Sequence, residues 1–331
     1  FDIEKNIYLL KKIDMKINDI KINSPLIQIQ EKKNSFFVNG QFLNDKKIFK
    51  NEDLKLIFAN LLNNIDIKKI EFNSKNDFSF NISKNLKLDN LKIKSTIDLE
   101  QLTFNEKNLR LSSYFPNFVE EIKLKKHKII INYDKENFEI NGKGNISIEE
   151  KTDNFSYKII KKKNDILFDS KINLKDNSLK INFLDYEKKE GLNSLILIKG
   201  QLKKNNQIIF DLINLKESKN EILIKGLELS QNFRIKDIKN FDINYINNKK
   251  ILNNLSLIKK KSNFIMKGES FDASRIINNI MDKDGESSSI FKNLNSKIKI
   301  RIKKTYVDKN NYIKNLNGNV DFNNSKIKDL K

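Results

Sequence analysis

The dominant pattern in this sequence is the alternation of apolar and polar residues, repeated with short polar breaks from one end to the other. In Lys297–Ile302, for example, Ile298, Ile300 and Ile302 alternate with lysine and arginine. Successive side chains of a strand point to opposite sides, so this pattern places apolar residues on one face and polar residues on the other. It predicts strands over Met15–Ile22, Leu26–Gln30, Ile67–Phe72, Phe78–Ile82, Leu88–Lys94, Lys128–Tyr133, Phe138–Gly142, Asn145–Ile148, Ile166–Asp169, Leu195–Lys199, Ile208–Leu212, Ile222–Lys225, Phe241–Tyr245, Phe264–Gly268, Ile298–Ile302 and Asn319–Phe322.

Two further strands are predicted to form a hairpin. Lys171–Lys175 and Leu179–Phe183 both alternate, and the polar tripeptide Asp176–Ser178 separates them. Short polar breaks between alternating runs are typical of antiparallel hairpins.

The spacing of the strands predicts an all-β, mainly antiparallel protein. No Gly/Ser/Pro-rich linker divides the chain, so residues 1–331 are expected to form one continuous β segment. A closed sandwich needs apolar residues on both packed faces, whereas the far faces here are rich in lysine, asparagine and aspartate. We therefore expect a long, curved and twisted sheet that forms an open hydrophobic groove, with a few short helices. Its groove-facing candidates are Ile172, Leu174, Leu179, Ile181, Phe183, Ile222, Ile224, Ile298, Ile300, Ile302, Val320 and Phe322.

Helical signals are few. The clearest is Phe271–Met281, in which Asp272 can cap the first turn and four apolar residues then recur at helical spacing. Weaker signals cover Glu52–Asn63 and the stretch after Pro116, Asn117–Lys125.

The chain is strongly basic. It has 64 Lys+Arg against 43 Asp+Glu and a formal net charge of +21, a composition typical of nucleic-acid binders. Only four of the basic residues are arginine and only two residues are alanine, which indicates that much of the composition reflects an AT-rich genome. Nucleic-acid binders interleave basic and aromatic side chains on one surface. Here phenylalanine follows the apolar register and lysine the polar one, so no nucleic acid is expected as a partner.

Candidate catalytic and metal-binding groups are scarce. The chain has no cysteine, which excludes disulfides and thiol chemistry, and the single histidine, His127, stands in a lysine cluster and is expected on the surface. Asp282–Gly285 resembles the start of a calcium loop, but the required acidic residue at position twelve is Asn293. Gly142 and Gly144 are expected to mark a bulge or a tight hairpin. We expect no catalytic residue, metal or cofactor, and no enzymatic activity.

Membrane-spanning and secretory signals are also missing. The longest uncharged apolar stretch, Leu56–Ile65, is much shorter than the roughly 18–20 residues of a spanning helix. Because the sequence begins with Phe1, we expect it to be a piece of a longer protein.

Several segments resemble the AsmA-like family of bacterial envelope proteins, in particular its YhdP-like members and, more distantly, TamB-like ones. The most specific is Met266–Ile277, which is similar to the family's element of a strand, a Gly-x-x-Phe-Asp motif and a short helix. Ile298–Ile302 and Leu316–Phe322 resemble its recurring strand pairs, so residues 266–331 are the most family-like portion.

The resemblance implies non-enzymatic transport of phospholipid across the periplasm, between the inner and outer membranes. It also implies an N-terminal inner-membrane helix outside this sequence, with envelope proteins as possible partners. Exposing an acyl chain to water costs about 0.8 kcal/mol per CH₂, roughly 12 kcal/mol for 16 carbons, so a conduit must cover the chain continuously. The alternatives are a β-rich envelope or adhesin-like scaffold and, less favoured, a basic nucleic-acid-binding protein.

Overall fold

The computed structural model describes residues 3–4, 6–17, 20–49, 66–105, 111–118, 120–163, 165–231, 235–281, 296–323 and 326–330. The predicted fold class is confirmed, because these residues form an all-β, mainly antiparallel structure with short helical pieces. The chain divides into two compact units. Unit 1 comprises residues 1–110 and 118–164, and unit 2 comprises residues 111–117 and 165–331. The expectation of one continuous segment, with its most family-like portion over 266–331, stays a prediction.

Unit 1 contains one antiparallel sheet in which each strand pairs with the next strand along the chain. Its strands are β1 (Ile3–Glu4), β2 (Ile7–Ile17), β3 (Ile20–Lys32), β4 (Ser35–Phe49), β5 (Asp66–Ser83), β6 (Leu88–Asn105), β7 (Glu121–Tyr133), β8 (Phe138–Ser147) and β9 (Thr152–Lys162). Apolar alternation on one side of each strand explains why the sheet forms.

The strands of unit 1 are longer than their apolar runs. Ile67–Phe72 and Phe78–Ile82 were predicted as two strands, but both belong to β5, which continues through the polar residues between them. Those polar residues have local partners: Ser74 donates a hydrogen bond to the Asn44 side chain, and Asn76 Nδ2 donates to the carbonyl of Phe42 at 3.3 Å. Because these groups are satisfied within the sheet, the strand is not interrupted.

The prediction of a single strand over Met15–Ile22 is wrong. Met15 lies directly opposite Ile22 across the β2–β3 ladder, so the chain reverses between them. The alternation shifts by one position between Ile17 and Ile20, and this break in the period was the available signal for the reversal.

Unit 2 contains ten main strands, each hydrogen-bonded to the next, plus the short strand β16. The order is β10-β13-β14-β15-β17-β18-β19-β20-β21-β22, and β16 pairs with the end of β15. The bounds are β10 (Asp165–Leu174), β13 (Ser194–Leu202), β14 (Ile208–Glu217), β15 (Asn220–Leu229), β16 (Ile235–Asp237), β17 (Asn240–Ile246), β18 (Leu252–Lys260), β19 (Asn263–Asp272), β20 (Ser296–Tyr306), β21 (Tyr312–Asn323) and β22 (Lys326–Leu330).

Strands β19 and β20 of this sheet are parallel, whereas the other described pairs are antiparallel. A parallel pair needs a crossover connection. The crossover includes helix α1 (Ser274–Met281), which confirms the helix predicted over Phe271–Met281 with a start three residues later. Asp272 accepts a hydrogen bond from the Ser274 backbone N–H at 3.0 Å, in agreement with the predicted capping role.

The hairpin predicted from Lys171–Lys175 and Leu179–Phe183 is wrong. Strand β10 pairs instead with β13, and Leu179–Ile181 (β11) pairs with Tyr186–Lys188 (β12) in a separate two-stranded sheet. A 3₁₀ turn, Asn182–Leu184, joins these two short strands. The intervening segment leaves the main sheet because its apolar residues find a different packing surface, described below.

The helix predicted over Asn117–Lys125 is also wrong, since β7 begins at Glu121 and Ile122 is buried against the sheet. A second 3₁₀ turn, Leu111–Ser113, precedes this region. The predicted helix Glu52–Asn63 and the segment Asp282–Gly285 lie outside the described residues.

Candidate functional site

The apolar face of unit 2 is built from rows of side chains that run across the strands. Residues paired in a ladder lie side by side on one face of a sheet. The pairings connect nine strands into one row, here called the long row: Ile172, Ile196, Leu215, Ile222, Ile243, Leu255, Gly268, Ile302 and Leu316. A second row beside it contains Ile198, Ile213, Ile224, Phe241, Leu257, Met266 and Ile300.

Many side chains of these rows remain partly exposed. Ile172, Ile196, Ile224, Met266 and Ile300 are all half-buried. Others are buried: Leu257 forms a buried cluster with Phe264 and Ile298, and five members of the long row are also buried, namely Leu215, Ile222, Ile243, Leu255 and Ile302. A second sheet packed on this face would bury both rows, so the apolar surface is open mainly along the second row and at Ile172 and Ile196 of the long row.

Nine of the twelve groove candidates lie on the main sheet of unit 2. Ile172 and Ile222 share the long row with Ile302, Ile224 and Ile300 share the second row, and Ile298 pairs directly with Val320. Leu174 ends β10 and is fully buried, and the backbone of Phe322 pairs with Ser296.

The other three candidates lie away from that sheet. Leu179 and Ile181 belong to β11, and Phe183 belongs to the following 3₁₀ turn. The shared face expected for them with Ile172 and Leu174 depended on the incorrect hairpin.

These three residues belong to a cap that covers one end of the unit 2 face, formed by residues 111–117, 175–193 and α1. Lys180 N–H donates to the carbonyl of Tyr114 at 2.8 Å, and the hydroxyl of Tyr245 donates to the carbonyl of Leu184. The rings of Tyr186 and Tyr245 meet edge to face, with centroids 5.3 Å apart. The cap therefore covers this end of the face and encloses a small apolar core.

Buried polar groups hold the cap in place. Lys188 is completely buried, and its Nζ donates to the carbonyls of Lys175 and Asn177, each at 2.6 Å. The hydroxyl of Tyr186 donates to Glu217 Oε2 at 2.5 Å. Burial, reinforced by this carboxylate, strongly raises the pKa of Tyr186, so the phenol remains protonated.

Ionic contacts hold the residues at the start of helix α1 and join the helix to the rest of the cap. Lys249 Nζ lies 2.8 Å from Asp272 Oδ2, and Arg275 reaches Asp185 Oδ1 at 3.1 Å. Burial acts to raise the pKa of Asp272, but hydrogen bonds from Lys249 and Ser274 outweigh it, and the pKa is lowered. The carboxylate is thus charged at neutral pH.

Unit 1 has an equivalent apolar face. Its ladder connects seven strands into a row here called the Phe78 row: Leu10, Ile27, Gly40, Phe78, Ile93, Tyr133 and Phe138. Aromatic rings stack along this face, with centroid distances of 4.6 Å for Phe42–Phe78 and 4.3 Å for Phe49–Phe72. Phe49 and Ile67 are buried, whereas Phe42 and Phe78 are half-buried.

His127 lies on this apolar face, so the prediction of a solvated surface residue is wrong. It pairs with Leu99, is only 1% exposed, and its Nε2 lies 2.9 Å from the carbonyl oxygen of Asn145. The register of β7 against β8 shifts between Lys125 and Lys128, where Lys126 has φ +52°. This bulge turns the histidine ring inward.

Gly142 and Gly144 lie opposite this irregularity, which agrees with the predicted bulge. The ring of Tyr157 covers Gly142 and the ring of His127 covers Gly144. Phe155 completes the group, 5.1 Å from Tyr157 and 6.1 Å from His127 between centroids. Burial lowers the pKa of His127 and raises that of Tyr157 to about 12, so both rings are neutral at pH 7.

The opposite face of the sheet is polar in both units and carries cross-strand ion pairs. Lys158 Nζ lies 3.0 Å from Glu139 Oε1 in unit 1, and Lys199 Nζ lies 2.8 Å from Asp169 Oδ2 in unit 2. Lysine also contacts aromatic rings in places: Lys304 Nζ lies 4.7 Å from the ring centroid of Tyr306 and 4.1 Å from that of Tyr312.

Within the described ranges, no three His, Cys, Asp or Glu side chains come together in a way that could hold a metal ion. No helix among the described residues is long and apolar enough to cross a bilayer. The chain matches no family model, no curated protein and no solved structure.

Proposed function

We propose that this protein is a non-enzymatic lipid carrier that holds phospholipid acyl chains against its apolar sheet faces. The observation that carries the proposal is the continuity of apolar rows across the strands of each unit, together with their incomplete burial. An apolar surface of this extent is typical of an interaction site.

The dimensions of the rows suit a hydrocarbon ligand. The Phe78 row crosses seven strands from β2 to β8, and its six interstrand spacings of about 4.8 Å span about 29 Å. The hydrocarbon core of a bilayer is about 30 Å thick and accommodates two acyl chains end to end, or about 15 Å for each. The unit 1 face is therefore long enough to cover an acyl chain along its whole length.

The separation of charge from apolar surface also supports this proposal over nucleic-acid binding. A lipid needs a continuous apolar track, with its head group left in water. The basic residues of the polar face partly neutralise carboxylates on neighbouring strands, as the Lys158–Glu139 and Lys199–Asp169 pairs show. Among the described residues, lysine lies over an aromatic ring only locally, as Lys304 does over Tyr306 and Tyr312, whereas single-strand binders interleave the two along a whole surface.

The resemblance noted in Met266–Ile277 leads us to propose membership of the AsmA-like family and transport across the periplasm, between inner and outer membranes. An N-terminal anchor outside this sequence and contacts with envelope proteins form part of the same proposal. Carriage of this kind uses no catalytic residue, metal or cofactor.

Photo-crosslinking along one strand tests the proposal. Ile196 lies on the apolar face, whereas the next residue, Leu197, pairs with Lys171 and Asn214 on the polar face. A photo-reactive amino acid at position 196 should crosslink to phospholipid, and the same group at 197 should not. These adjacent, similarly sized positions make a matched pair.

Mass spectrometry of organic extracts from the purified protein gives an independent measurement, with co-purified phospholipid as the expected result. Two results would contradict lipid carriage and favour the scaffold. One is equal crosslinking at positions 196 and 197, and the other is a purified protein that contains no lipid and binds no apolar probe on either face. Tight, salt-sensitive RNA binding without lipid would favour the nucleic-acid alternative.

A further inference from the structure

The turn between β5 and β6 exposes a leucine in an unfavourable backbone conformation. Leu86 is 80% exposed and has φ +59°. Its N–H donates to the carbonyl of Ser83 at 2.9 Å, and the N–H of Ser83 donates to the carbonyl of Lys87 at 3.0 Å. These bonds define a tight hairpin turn whose last loop residue is left-handed, a position that favours glycine or asparagine.

Two other turns of the chain have the same geometry but different residues. Asn206, with φ +57°, and Lys250, with φ +64°, occupy the left-handed position and form the same pair of hydrogen bonds. Polar residues therefore occupy the left-handed position of this turn elsewhere in the chain. Turn geometry does not account for the leucine at position 86.

Other apolar side chains lie at the same end of the unit 1 sheet. Leu88 is 50% exposed and pairs with Ile82, and Tyr133 is 39% exposed and pairs with Ile93 in the Phe78 row. The exposed leucines are thus continuous with the apolar face.

This end of unit 1 is also basic. Antiparallel order brings together the β3–β4, β5–β6 and β7–β8 turns and the end of β9. Eight exposed lysines stand there: Lys32, Lys33, Lys84, Lys87, Lys135, Lys161, Lys162 and Lys163.

Carboxylates also lie at this end, among them Glu31, Asp89, Asp134 and Glu136. Asp89 lies 3.7 Å from Lys135, and Asp134 accepts the backbone N–H groups of Glu136 and Asn137. The lysines around Leu86 outnumber the carboxylates beside it.

We propose that this end of unit 1 docks on an anionic lipid bilayer. Leu86 and Leu88 insert between lipid head groups while the surrounding lysines contact the phosphates, a combination typical of peripheral membrane binding. Ile82 and Phe80 lie on the same face of β5 between the leucines and the Phe78 row, so an acyl chain has an apolar path from the membrane to that row. This inference goes beyond lipid carriage, because a protein can bind a bilayer without removing lipid from it.

Vesicle flotation with the 331-residue chain tests the docking surface. Binding is expected to mixed phosphatidylglycerol and phosphatidylcholine vesicles and to be much weaker with phosphatidylcholine alone. Leu86→Asn should reduce binding about tenfold, because it removes an inserted apolar side chain. It should also preserve or raise the thermal midpoint, since asparagine suits the left-handed position.

Charge variants separate the electrostatic part. Lys84→Gln with Lys87→Gln should weaken binding to the mixed vesicles about tenfold and reduce its salt dependence. Lys128→Gln with Lys143→Gln, two exposed lysines of the polar face within β7 and β8, provides the matched control and should bind as the parent chain does.

Three results would overturn the proposal: Leu86→Asn with unchanged binding, equal binding to the two vesicle types, or a self-association of the parent chain that disappears in Leu86→Asn. Adding Asn206→Leu to the Leu86→Asn variant places a leucine in the equivalent turn of unit 2. This second substitution should not restore vesicle binding. Crosslinking at Ile196 reports lipid carriage separately, so failure of one proposal leaves the other measurable.

Discussion

The imidazole of His127 lies against the bare backbone of Gly144, in the space that any side chain at position 144 would occupy. A glycine at this point of β8 permits the β7 bulge to turn a polar ring into an apolar face. Phe155 and Tyr157 pack around the ring from β9.

Gly144→Ala is therefore expected to destabilise unit 1. The added methyl group overlaps the His127 ring, and overpacking of this kind costs about 1–3 kcal/mol. Chemical denaturation followed by circular dichroism measures the change. Lys143→Ala, at an exposed neighbouring position, should change the free energy of unfolding by less than about 0.5 kcal/mol. Equal effects of the two substitutions would contradict the packing described for His127.

The stability of unit 1 should depend on pH through His127. Burial lowers its pKa in the folded state, so the unfolded chain binds the proton more readily. Stability is then fully present above the unfolded value, near 6.5, and falls as the pH drops through the folded value. Tyr157, with a pKa of about 12, stays neutral over this range.

His127→Phe removes this titration, and the denaturation midpoint of the variant should vary less between pH 7 and pH 5 than that of the parent chain. Phenylalanine keeps an aromatic ring beside Phe155 but cannot bind a proton. An unchanged pH profile would show that His127 titrates equally in the folded and unfolded states.

Lys188→Met should loosen the cap of unit 2. The substitution retains most of the buried volume but leaves the carbonyls of Lys175 and Asn177 without the ammonium donor. The loss of two hydrogen bonds to a charged group is expected to cost about 2–4 kcal/mol. Hydrogen exchange over residues 175–193 would report the loosening directly. Lys189→Met, at the exposed neighbouring position, should leave exchange there unchanged.

Ile300→Asp tests whether the apolar face of unit 2 is open. On an open face the carboxylate keeps much of its hydration, so we expect a cost of about 1 kcal/mol and a marked loss of co-purified lipid. Lys299→Asp, on the opposite face of the same strand, should retain lipid. Complete unfolding of Ile300→Asp would instead show that this position belongs to a sealed core.

Period-two alternation predicted the fold class and the shared face of eight groove candidates because each strand follows the same pleat. It did not predict the partner of β10, because the pairing with β13 skips the cap segment that contains Leu179 and Ile181. The packing of Tyr186 and Tyr245, which holds that segment, depends on residues far apart in the sequence. No local pattern encodes it.

The burial of His127 was missed for a related reason. A one-residue bulge reverses the face of every following side chain, and the lysines around position 127 suggested a solvated surface residue. Gly142 and Gly144 on the neighbouring strand β8 were the available signal for a buried ring, since two glycines in a strand mark places where a neighbouring group approaches the backbone closely.

The strand order of unit 1 has a consequence for how the protein folds. Each strand pairs with its sequence neighbour, so each hairpin can form as soon as its second strand is available, with little loop-closure entropy. Assembly can then propagate strand by strand, as it does in repeat proteins. In unit 2, β20 is the parallel partner of β19 and can pair with it only across the helical crossover. This non-local pairing is expected to be the slower step. Pulse-labelled hydrogen exchange should therefore show protection in β5 and β6 before protection in β19 and β20.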